Sequence, residues 1–106
     1  MEWRRRILVV EDEPLIASLI ADSLTREGFD VAIAHDALQA REQVQATDPD
    51  AALIDINLGS GPNGMHFGQW LHRTHPYVAL VFLSRHVDPR TAGIEEWDVP
   101  PGSSFL

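Results

Sequence analysis

Three carboxylates stand where chemistry can use them. Glu11 and Asp12 directly follow the apolar run Ile7-Leu8-Val9-Val10, and Asp55 ends the run Ala51-Ala52-Leu53-Ile54. A hydroxyl, Ser84, ends a third run that reaches from Val78 to Leu83. Apolar runs of this length beside turn and helix signals read as strands buried on both faces. If the strands are parallel, their carboxyl ends share one edge, where open α/β sheets place their ligand sites. Acids gathered there repel strongly: two unit charges ~4 Å apart cost roughly 4 kcal/mol at an effective dielectric of about 20. A divalent cation relieves that repulsion, so the pattern points to a functional site that holds one.

The elements that position these groups follow from the rest of the chain. The first strand covers 7–10. Pro14 suits the first turn of a helix, and Glu11, Asp12 and Glu13 complement its dipole. Leu15, Ile16, Leu19, Ile20 and Leu24 recur at helical spacing to about Glu27, with Gly28 as the stop. Val31 and Ile33 mark a second strand. Asp36 caps a second helix that runs to about Thr47 with Leu38, Ala40 and Val44 inward, and Asp48-Pro49-Asp50 breaks it. The strand ending near Ile56 leads into a glycine-rich loop. A helix over 65–74 ends at His75-Pro76, and a fourth strand covers about 77–83. This β-α-β-α-β-α-β order favours a parallel sheet with right-handed crossovers. Residues 88–102 lack a sustained apolar stripe and predict a short or poorly ordered helix. Ser103-Ser104-Phe105-Leu106 reads as the opening of a fifth strand, cut short.

Composition narrows the class. With 106 residues and 44% hydrophobic content, the chain suits one domain with a modest core. A net charge of -8 argues against nucleic acid as a ligand of this domain. Cysteine is absent, which excludes disulfides and zinc–thiolate sites and fits a cytoplasmic location. No stretch reaches the ~20 apolar residues of a membrane span, and Arg4-Arg5-Arg6 precedes too short a run for a signal peptide. All eight basic residues are arginine.

The segments Ile7–Pro14, Pro49–Leu58 and Val81–Ser84, in this order and spacing, resemble the receiver domain of response regulators, the phosphate-accepting module of two-component signalling. The resemblance implies a flavodoxin-like, doubly wound α/β fold with sheet order 2-1-3-4-5. It implies that Asp55 is the phosphoacceptor, and that Glu11, Asp12, Asp55 and the backbone carbonyl of Asn57 bind Mg²⁺ or Mn²⁺. Ser84 would hold a phosphoryl oxygen and, with Phe105, act as the switch. A histidine kinase or phosphotransfer protein would be the phosphoryl source. A homodimer or an appended effector domain would carry the output. The chain itself would be no enzyme, and neither nucleic acid nor membrane would be its partner.

Four departures from the family pattern stand out. The lysine that closes strand five is missing, and the sequence stops where that strand should finish. The whole chain then reads as a receiver incomplete at its C-terminus, with the last helix absent. Arg85 replaces a small residue and could cover the site or supply positive charge, and His86 could tune water access. The loop Gly59 to Gly64 is about one residue longer than usual. The segment 88–102 is atypical where the fourth helix belongs. Together these leave an alternative: a pseudo-receiver, acting as a phosphorylation-independent interaction module.

Other readings are weaker. Gly59, Gly61 and Gly64 match G-x-G-x-x-G, but Pro62 removes an amide and Asp55 would repel a pyrophosphate, so a glycine-rich turn is simpler. No matching acid or cysteine joins His66, His72 and His75, which read as a solvated face. An aspartyl phosphatase would need an acid at position 57, where Asn57 stands.

Overall fold

The computed structural model describes residues 4–58, 63–83 and 100–106. The elements are β1 (Arg6–Val10), α1 (Pro14–Arg26), β2 (Asp30–Ala34), α2 (Ala37–Thr47), β3 (Ala51–Asp55), α3 (Asn63–Thr74), β4 (Ala79–Leu83) and β5 (Ser104–Phe105). All pairings are parallel and the sheet order is β2-β1-β3-β4-β5. This is the flavodoxin-like doubly wound arrangement expected from the sequence. The expected helix over 88–102 falls mostly outside the described residues.

Local chemistry sets the helix ends. Pro14 occupies the first turn of α1. At its other end Gly28 takes φ +98°, and the Phe29 amide reaches the Leu24 carbonyl at 3.1 Å. Only glycine holds that left-handed turn without a Cβ penalty. The Asp36 carboxylate accepts the Gln39 amide at 2.7 Å and caps α2. Asp48 ends α2 in the left-handed region at φ 47°.

Right-handed crossovers put α1 on one face and α2 with α3 on the other, because the chain reverses its direction across the sheet after β2. The main core joins Leu8, Val10, Ala52, Ile54, Leu80 and Phe82 from the strands to Ala40 and Val44 of α2 and to Met65, Phe67 and Leu71 of α3. Gly68 lets the α3 backbone lie against the Phe82 ring: a Cβ there would stand 2.5 Å from it. One inward assignment fails. Leu38 is 69% exposed, because α2 presents Ala40 and Val44 to the core and position 38 lies well round the helix from both. Leu15 and Leu19 also face outward from α1.

The amino-terminal edge of the sheet is tied by polar contacts. The Arg6 amide donates to Asp50 Oδ2 at 2.9 Å and its guanidinium to the Thr47 carbonyl at 2.8 Å. The Tyr77 hydroxyl donates to Asp48 Oδ1 at 2.6 Å. That hydrogen bond, above all, raises the Tyr77 pKa, with smaller contributions from desolvation and from the charges of Asp48 and Asp50. Losing the proton would set a phenolate against a carboxylate. The bond's contribution to stability is therefore present below the ordinary phenol range and disappears as pH rises through the raised value. Tyr77 is the sole tyrosine, so an ultraviolet titration reads it directly. Its midpoint should lie above that of free tyrosine and fall back in Asp48→Asn; an unchanged midpoint in that variant would refute the assigned cause.

Candidate functional site

Strand register builds the site. Val10 pairs with Ala34 of β2 and with Ile54 of β3, and Asp55 pairs with Leu83 of β4. The residues one step further along β1 and β2, Glu11 and His35, therefore fall level with Asp55 at the carboxyl edge. The β1 to α1 turn then adds Asp12. One carboxylate oxygen from each of Glu11, Asp12 and Asp55 lies within 4.8 Å of the others. The three acids singled out in the sequence do converge.

Their surroundings differ. Glu11 is fully buried, Asp55 is 2% exposed, and Asp12 faces solvent. Glu11 Oε1 accepts the Glu13 amide at 3.3 Å, and Asp55 Oδ1 accepts the Asn57 amide at 3.1 Å. The backbone beneath is fixed by the Glu11 amide on the Ala34 carbonyl at 3.0 Å and the Ile56 amide on the Leu83 carbonyl at 3.1 Å. Two buried carboxylates held by amides, with a third open to water, form an all-oxygen donor set. Such a set fits a hard divalent cation such as Mg²⁺ or Mn²⁺, which keeps waters and takes one or two carboxylates.

The other expected residues fall as follows. Asn57 leaves β3 immediately beside the acids, through the amide contact to Asp55. Phe105 lies two strands from Asp55, with its ring 5.5 Å from that of Phe82 and 39% exposed. Ser84, Arg85 and His86 lie outside the described residues. Of the histidines read as a solvated face, His66 is exposed while His72 and His75 are half-buried. Trp70 packs against Phe67 and His75 at 5.7 and 5.9 Å, beneath the Arg41 guanidinium at 4.8 Å.

The sequence did not reveal what two residues beside the site do. His35 Nδ1 lies 2.9 Å from the Glu11 carbonyl. Gly64, read only as part of a turn, brings the start of α3 against β3: a Cβ on it would stand 1.8 Å from the Asp55 carbonyl oxygen. The only sequence signals were a histidine directly before a helix cap and a glycine directly before an apolar helix.

A doubly wound sheet carrying an acidic trio at its carboxyl edge is the arrangement that the resemblance to receiver domains implied. The chain matches the family described as the response regulator receiver domain over residues 7–95, and it belongs to that family. It is 38% identical over 87 residues to the nitrogen assimilation regulatory protein NtrX of Azorhizobium caulinodans, covering 81% of this chain and 19% of that protein. It is 39% identical over 85 residues to the DNA-binding response regulator MtrA of Mycolicibacterium smegmatis, covering 80% of this chain and 36% of that protein. The crystal structure of NtrX from Brucella abortus superposes with a TM-score of 0.82 at 28% identity, covering 98% of this chain and 22% of that one. The chain thus spans about a fifth to two fifths of the length of these relatives. Among the described residues, no helix is long and apolar enough to cross a membrane.

Proposed function

We propose that this chain is a working phosphoacceptor, and that Asp55 takes a phosphoryl group from a histidine kinase or phosphotransfer protein. The observation that carries this reading is the approach of Glu11, Asp12 and Asp55 to within 4.8 Å from two separate strand ends. In the transfer, a carboxylate oxygen of Asp55 bonds to phosphorus while the bond from phosphorus to the donor's imidazole nitrogen breaks, and the imidazole leaves. A carboxylate is a weak nucleophile, so the rate depends on alignment and on neutralised charge. Glu11, Asp12, Asp55 and the Asn57 carbonyl would hold Mg²⁺, which supplies positive charge to the transferring group. The Asn57 amide on Asp55 Oδ1 holds the carboxylate in one orientation. Ser84, the next residue after β4, is the hydroxyl that the family pattern assigns to the phosphoryl oxygen.

The product adds roughly -1.5 to -2 charge at the sheet edge. Phe105 is proposed to follow this change at the edge of the sheet, and an appended effector domain or a second copy would read it. The test is incubation with acetyl phosphate, with and without Mg²⁺, followed by intact-mass measurement. One phosphoryl adduct, dependent on Mg²⁺ and removed by hydroxylamine, is the expected result. No adduct at millimolar Mg²⁺ would overturn the proposal in favour of a phosphorylation-independent module.

A further inference from the structure

We infer that His35 is a positioning residue for the metal site, holding the Glu11 main chain in place through its imidazole; this rests on the function proposed above. The β1–β2 ladder ends at Val10 and Ala34. Just beyond, β2 turns away so that Asp36 can cap α2. At that point His35 directs Nδ1 at the Glu11 carbonyl, 2.9 Å away and 24 positions distant in sequence. A carbonyl can only accept, so Nδ1 carries the proton and donates. On the other side of the same residue, the Glu11 amide donates to the Ala34 carbonyl at 3.0 Å. Consecutive residues of the β2 end therefore hold both backbone groups of Glu11.

His35 is itself held. Its own amide donates to Gln39 Oε1 at 2.9 Å, while the Gln39 amide donates to the Asp36 carboxylate at 2.7 Å. The imidazole is half-buried. The first turn of α2 thus braces the histidine, and the histidine braces the segment that carries Glu11 and Asp12. A metal site made of side chains on a turn depends on the orientation of that turn. Partners behind the ligands commonly set affinity without touching the ion, and their loss costs about 10–100-fold in metal binding. His35 acts on the chain behind two ligands at once.

The test measures Mg²⁺ affinity of the full chain by calorimetry, and melting temperature in EDTA, for the native protein, His35→Ala and His35→Asn. Asparagine places an amide N–H near the position of the imidazole Nδ1–H and can restore the bond. The expected result is about tenfold weaker Mg²⁺ binding in His35→Ala and near-native binding in His35→Asn. A purely structural role would lower the melting temperature in EDTA while leaving the affinity of the folded protein unchanged. Native Mg²⁺ binding with equal affinity in His35→Ala overturns the role of His35 and leaves the functional reading standing. Absence of Mg²⁺ binding by the native chain overturns both.

Discussion

Asp55→Asn should yield a protein that melts higher than the native chain and accepts no phosphoryl group. Asparagine matches aspartate in volume and keeps an oxygen for the Asn57 amide, 3.1 Å away in the native site. The backbone therefore has no reason to move. What disappears is one negative charge from a trio whose oxygens lie within 4.8 Å of each other, two of the three residues being buried. Each ionised pair at that spacing costs roughly 3 kcal/mol at an effective dielectric of about 20. Solvent at Asp12 and counterions reduce this, so a net gain of about 1–2 kcal/mol in metal-free buffer is the expected magnitude. For a domain of this size that is a rise of about 4–15 °C in melting temperature. The same substitution removes the nucleophile, because an amide oxygen forms no stable acyl phosphate. Mg²⁺ stabilises any folded state that binds it by RT ln(1 + [L]/Kd), and the variant should gain less from it than the native chain. Thermal melts in EDTA and in Mg²⁺, with intact mass after acetyl phosphate treatment, read all three effects. Labelling equal to native would show that the phosphoryl group goes elsewhere. A lower melting temperature in EDTA would show that repulsion does not dominate the cluster.

Gly64→Ala should damage fold and site together. An added Cβ would lie 1.8 Å from the Asp55 carbonyl oxygen, 2.8 Å from the Asp55 carbonyl carbon and 2.9 Å from the Ile56 Cα. All three are main-chain atoms, so no rotamer change relieves the clash. The start of α3 must lift, and the 3.0 Å bond from the Gly64 amide to the Ile56 carbonyl must stretch or break. Forcing extra volume into packed structure costs about 1–3 kcal/mol and sometimes more; contact with backbone puts this case at about 3 kcal/mol. Because two of the three obstructed atoms belong to Asp55, Mg²⁺ affinity should fall with stability. Gly28→Ala is the control. It meets nothing within 4 Å, but its φ of +98° strains an L residue. Its cost should be about 1 kcal/mol, with Mg²⁺ binding intact. Equal losses in the two variants would sink the claim that Gly64 supports the site by close approach.

Much of this arrangement could be read from the chain because strand and site are written in the same residues. Ile7–Val10 and Ala51–Ile54 are continuous apolar runs, which suit strands covered by helices on both faces. The acids end those runs, so placing the strands also placed Glu11, Asp12 and Asp55. Pro14 and Asp36 marked helix starts through chemistry that acts within four residues. What escaped depends on distant partners. His35 meets a carbonyl 24 positions away that any residue type could have offered. Gly64 matters through contact with main-chain atoms, which have no sequence signature. Leu38 misled because helical spacing alone does not say which of two neighbouring faces meets the sheet, and the small residues Ala40 and Val44 do so here.

The bond between Gly64 and Ile56 has one more consequence. It ties the point where the chain leaves β3 to the first turn of α3. Strand β3 and helix α3 thereby keep a fixed spacing that does not rest on the residues joining them.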